Sequence, residues 1–138
     1  MIRCIRIWTD AAGNSAFEEG SLALPGGSEG DAIGQAIAAA SISFRETRSE
    51  NALAWHDAPI RQFVLTLGGT LQFETRSGAT FIIRPGDVLL AEDTTGSGHR
   101  WRVIGSEPWR RAYVVLPPGL EAHFIPTGHT HVEQGGSR

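Results

Sequence analysis

His56, Gln62 and His99 are the side chains whose types and spacing bear most directly on chemistry. His56 and Gln62 fall within Trp55-His-Asp-Ala-Pro-Ile-Arg-Gln62, at the mouth of an alternating apolar run. His99 closes the loop Asp93-Thr-Thr-Gly-Ser-Gly98. Two neutral imidazoles and one amide form a charge-neutral donor set. A divalent ion held by them keeps its whole charge and acts as a Lewis acid on a bound anion. Imidazole suits zinc, nickel and iron, and carbonyl and water ligands suit manganese. The same residues equally satisfy a polar pocket without an ion, where each hydrogen-bonds its neighbours. The spacing admits both readings.

Other side chains are candidates for the surroundings. Trp55, Phe44 and Trp101 are apolar lining for a small-molecule pocket. Val64 and Thr66 share a face with Gln62 by strand alternation. Asp93 and Thr94 sit where a ligand at the mouth meets hydrogen-bonding groups, although both also build turns. Arg45, Arg61 and Arg102 are possible clamps for a carboxylate or phosphate. Alternation turns Arg61 and Arg102 away from Gln62 and His99. Glu46, Asp57 and Glu92 are possible general bases, and a solvated role fits each as well.

The elements that must position these residues are short strands. Residues 2–8 and 16–24 read as strands, with Pro25–Gly30 a loop and Asp31–Ala40 a short helix capped by Asp31. From Ser41 the apolar pattern has period two, predicting strands over 41–47, 61–67, 70–75, 80–84, 88–91, 100–104 and 111–116. Gly68-Gly69 predicts a tight hairpin between the second and third of these. Closely spaced strands with Gly/Pro turns, and no crossover helices, predict an all-β antiparallel sandwich or barrel. Residues 1–40 complete the barrel or a dimer, 41–116 form its core, and 117–138 are a C-terminal extension with a polar, frayed end.

Composition narrows the classes. A chain of 138 residues is long enough for one core. Its net charge of −3 gives no basic field for nucleic acid or an anionic membrane. All 12 basic residues are arginine, which excludes Schiff-base chemistry and a P-loop lysine. Cys4, the single cysteine, allows no intrachain disulfide or thiolate-rich zinc site and reads as a small apolar strand residue. No apolar run has membrane-spanning length and no signal peptide is recognisable, so a cytoplasmic location is expected. Gly26-Gly-Ser28-Glu-Gly30 matches a nucleophile-elbow pattern, but a Gly/Ser loop explains it better. His129-Thr-His131, in the tail, and His123 are set aside as ligands.

Over residues 55–103, about a third of the chain, the sequence resembles the cupin superfamily. The first cupin motif carries a His-x-His pair, a glutamate and a later glycine. His56 matches the first histidine and Gly69 the glycine, while Ala58 and Gln62 replace the second histidine and the glutamate. Pro85-Gly86-Asp87 and His99 match the second motif. The resemblance implies a cupin-type jelly roll, a depleted metal site at His56, Gln62 and His99, and a homodimer, with the N-terminal strand as a contributor. It implies either a metal-dependent oxygenase, isomerase or lyase acting on a small organic acid, or a ligand-binding barrel that has lost its metal. The fold is far better fixed by such membership than the function is.

Overall fold

The computed structural model describes residues 1–48 and 52–127. Its strands are β1 (Arg3–Thr9), β2 (Ser15–Leu22), β3 (Ser41–Thr47), β4 (Ala52–His56), β5 (Gln62–Gly68), β6 (Thr70–Thr75), β7 (Thr80–Ile83), β8 (Val88–Glu92), β9 (His99–Ile104), β10 (Trp109–Val115) and β11 (Phe124–Pro126). They form two sheets, ordered β11-β2-β1-β8-β5-β10-β3 and β4-β9-β6-β7. The result is an all-β sandwich compatible with a jelly roll.

Period-two alternation explains the layering. Inward residues of both sheets, among them Ile5, Ile7, Val64, Leu71, Phe73, Ile83, Leu89 and Trp101, form the core between the sheets. Burying side chains of this size contributes about 1.5–3 kcal/mol each, before the entropy of ordering them. The outward residues Cys4, Phe63, Val88 and Leu90 of the larger sheet form a second cluster with Leu116 and Ala122. Both faces of that sheet are therefore covered at its central strands, and β5 and β8 read as apolar runs rather than strict alternation. Cys4 is fully buried, and burial pushes its thiol up to about 12.

Two expectations are corrected. Asp31–Ala40 is not a helix; no helix occurs among the described residues, and Ile33 instead makes an isolated bridge to Gly26 while Ile37 packs on the second cluster. Gly34 weakens a helix here, and a run this short does not hold one without tertiary packing that favours it. Gly68-Gly69 does not close a hairpin, because β5 pairs with β8 and β10 while β6 pairs with β7 and β9. It is a corner that carries the chain from one sheet to the other. β1, the strand named above as a dimer contributor, lies between β2 and β8 rather than at a sheet edge. The strands at the sheet edges are β11, β3, β4 and β7.

Corner geometry depends on Gly69, whose φ is +88° and whose Cβ, if present, would lie 2.6 Å from Pro108 O and 2.9 Å from Trp109 Cα. Both the left-handed backbone and the close approach exclude a side chain. Gly69→Ala is expected to lower stability by about 2 kcal/mol or more, measured as a drop in the urea midpoint at unchanged slope.

Candidate functional site

β4 and β9 place His56 directly opposite His99 in antiparallel register. The two rings stand 4.6 Å apart between centroids, inclined by 60°. This approach requires Gly98, which has φ +74° and leaves no room for a Cβ against His56 O. Along β9, His99, Trp101 and Val103 face inward, and Arg100 and Arg102 outward. Gln62 arrives from the facing sheet as the first residue of β5, 6% exposed. His56, Gln62 and His99 thus line one inter-sheet cavity of about 560 Å³, together with Val64 and Trp101.

Asp93, 0% exposed, fixes the orientation of His99. Its Oδ2 accepts from His99 Nδ1 at 2.6 Å and from Ser15 Oγ at 2.6 Å. Its backbone carbonyl accepts from Ala58 N at 2.9 Å. Among the described residues Asp93 Oδ1 has no partner. With Nδ1 donating to the carboxylate, Nε2 is the nitrogen that His99 has left for the cavity. His56 behaves alike: Nδ1 lies 3.0 Å from Ala54 O, a carbonyl that can only accept, so its lone pair resides on Nε2. Burial holds His56 below its ordinary 6.5, helped by the nearby His99 and opposed by the Ala54 bond, Asp93 and Asp57.

Two Nε2 lone pairs and the Gln62 amide are the donors available to a metal. No group of three His, Cys, Asp or Glu side chains suited to a metal occurs among the described residues. The set fits a divalent transition ion in ligand type but supplies no anion. A carboxylate held on the far nitrogen of a histidine, as Asp93 is on His99, is an arrangement that raises ligand basicity.

The cavity's other wall is cationic. Arg111, 3% exposed, lies in β10 directly opposite Arg45 in β3, and both line the cavity. Arg111 Nε donates to Tyr113 Oη at 3.0 Å; Nη1 donates to Thr47 Oγ1 at 2.7 Å and Trp109 O at 3.2 Å. Its guanidinium covers the Trp109 ring at 3.7 Å. Burial lowers its affinity for the proton, partly offset by Tyr113, and Arg45 lowers it further. Among the described residues neither arginine has a carboxylate partner. A cation–π contact contributes about 0.5–2 kcal/mol, less than the several kcal/mol that desolvating a cation costs.

Most of the other candidate residues lie elsewhere. Trp55 is stacked between Arg76, at 3.9 Å, and Arg100, at 4.7 Å, on the outer face. Phe44 points outward from β3 and is 71% exposed. Thr66 is buried and accepts from Trp109 Nε1 at 3.1 Å. Thr94 is an exposed loop residue. Arg61 pairs with Glu92, Arg102 bonds Gln72, and Glu46 pairs with Arg110, all away from the cavity; Asp57 lines it. Ser28 lies on an exposed loop, His123 is outside the cavity lining, and His129 and His131 fall outside the described residues. Arg111, Tyr113 and Trp109 were not singled out from sequence. Their shared parity along a strand with two large aromatics was the available signal.

No protein-family model matches the sequence, and no curated protein matches it. No helix among the described residues is long and apolar enough to cross a membrane.

Two measurements check this geometry. The His56 ring should titrate below 6.5 by NMR. The unfolded chain then binds this proton more readily, so the His56 contribution to stability is present above about pH 6.5 and lost as pH falls below it. Asp93→Ala strips the shared acceptor from two buried donors and should cost about 3 kcal/mol or more in chemical denaturation.

Proposed function

We propose that the chain is a small-molecule-binding cupin whose ligand occupies the cavity between the sheets. The observation that carries this reading is the convergence of His56, Gln62 and His99, from both sheets, on one cavity of about 560 Å³. That volume lies in the range of small-molecule sites, and indole and aliphatic walls interspersed with placed polar groups suit a small organic ligand. The correspondence of His56, Gly69 and His99 to cupin motif positions, and the two-sheet sandwich, support the family reading.

His99 is the residue best placed to move a proton. His99 lines the cavity, and the Asp93 bond to Nδ1 leaves Nε2 as the nitrogen able to accept a proton. A histidine backed by a buried carboxylate is an arrangement suited to general acid–base work on a bound ligand. A ligand-binding barrel without catalysis would use the same nitrogen as a hydrogen-bond acceptor.

A metal-assisted version is favoured by the second His99 nitrogen being held on Asp93 and by the two rings lying 4.6 Å apart. His56, His99 and Gln62 would hold a divalent ion, which would polarise a ligand oxygen or acidify a bound water. Lacking an anionic ligand, the site would bind the ion weakly.

Ligands found by thermal-shift screening should lose at least tenfold in affinity with His99→Ala and with the cavity-filling Ala91→Phe. Unchanged affinity in both would place the ligand elsewhere on the protein. For the metal-assisted version, equilibrium dialysis against zinc, nickel, iron or manganese should show Gln62→Glu binding at least tenfold tighter than wild type, and His56→Ala weaker. Equal affinities in all three would remove the ion from this site.

A further inference from the structure

We propose that Arg111 and Arg45 form a carboxylate-binding subsite, so that the cavity's ligand is a carboxylic acid with a flat apolar body. This deepens the small-molecule reading above and rests on it.

The pattern of arginine pairing points to the subsite. Arg3, Arg6, Arg61, Arg100 and Arg110 each face a carboxylate within 4 Å, although all are more exposed than Arg111. Arg111 is the most buried of these cations and, among the described residues, pairs with none. Its partners are a phenol, a threonine hydroxyl and a backbone carbonyl, all neutral. Those three bonds engage Nε and Nη1 and hold the guanidinium plane in place, and no acceptor for Nη2 occurs among the described residues. Arg45 stands directly opposite on β3, its guanidinium 5.2 Å from the Tyr113 ring that Arg111 also approaches, at 5.5 Å. Like charges in opposed strand positions repel. Two cations at one wall of a partly desolvated cavity call for an anion between them.

A guanidinium fork matches a planar carboxylate, which accepts two parallel N–H bonds. The walls define the rest of the molecule. Trp109, beneath Arg111, meets Trp101 edge-on at 4.8 Å, and Val64 and Leu89 lie on the same lining. Phe73 links Trp109, at 6.2 Å, to His99, at 5.7 Å. A ligand seated on this apolar floor has its carboxylate at the arginines and its other end toward the imidazoles. Asp57, the carboxylate on the lining, is next to His56 in sequence, so acidic charge belongs to the imidazole end. A purely structural Arg111 needs no second cation opposite it.

The test pairs aryl and cycloalkyl carboxylates with their primary amides, equal in shape and uncharged. Binding is followed at pH 7 by quenching of tryptophan fluorescence and by calorimetry. Wild type should prefer the acids at least tenfold. Arg111→Gln should bring the acid-to-amide ratio to near one while amide affinity is kept, and Arg45→Gln should reduce the ratio. Acids should raise the Tm of wild type and not that of Arg111→Gln. Equal binding of acids and amides to wild type overturns the subsite and leaves the cavity reading intact. Binding of neither overturns both. If Arg111→Gln does not fold, the wild-type ratio and Arg45→Gln decide the question: a ratio unchanged in Arg45→Gln removes Arg45 from the subsite.

Discussion

The Asp93 carboxylate, cut off from solvent, is the constraint on which the site depends. An acid in such a place is costly unless hydrogen bonds hold it. His99 and Ser15 supply those bonds, and each comes from the first residue of a different strand, β9 and β2. The backbone of the same residue anchors Ala58, beyond the end of β4. One residue therefore ties both sheets and the loop after His56 together. The position of His99 follows from satisfying Asp93, and the free nitrogen of the imidazole follows from the position of His99. Ser15 is not part of the cavity lining, yet it helps decide which way the imidazole faces.

Charge is divided across the cavity. The imidazole end carries Nε2 lone pairs, the neutral amide of Gln62 and the Asp57 carboxylate, and the opposite wall carries two guanidinium groups. A glutamate in place of Gln62 would oppose an anionic ligand held by Arg45 and Arg111. The amide keeps a hydrogen-bonding group at the end of β5 without that repulsion. A neutral amide at position 62 and the cationic wall are thus mutually consistent parts of one electrostatic arrangement. A buried cation without a counter-ion weakens the empty protein and favours the occupied one, since whatever binds only the native state stabilises it.

Most strands were legible because burial imposes period two, as at Thr70–Thr75, whose range coincides with expectation; Ser41–Thr47 coincides as well, although its alternating residues are exposed. β4 was not legible, since Ala52–His56 alternates poorly and contains a register shift between Leu53 and His56. The Gly68-Gly69 corner carries the same local signal as a hairpin, and only long-range pairing separates the two. For the site, placing His56, Gln62 and His99 on one cavity needed the motif offsets, which alternation alone does not supply. Phe44 and Trp55 show the limit of residue type: an aromatic on a strand faces inward or outward by parity, and both face outward. Arg111 was hidden because arginine on a strand usually marks the solvent face, and its burial depends on Tyr113 and Thr47 meeting it across two strands.

The parallel pairing of β1 with β8 sets Cys4 beside Val88. Everything between them in sequence must be spanned before the pair forms, and loop-closure entropy is spent before any contact repays it. During synthesis β1 emerges first, and it can pair with β2 long before β8 exists. The larger sheet therefore closes late, around a strand waiting for its second neighbour. Ser15 begins β2, and Asp93 directly follows β8, so the hydrogen bond between them spans that same closure. The orientation of the His99 imidazole is therefore tied to a contact between distant parts of the chain, which local structure alone cannot form.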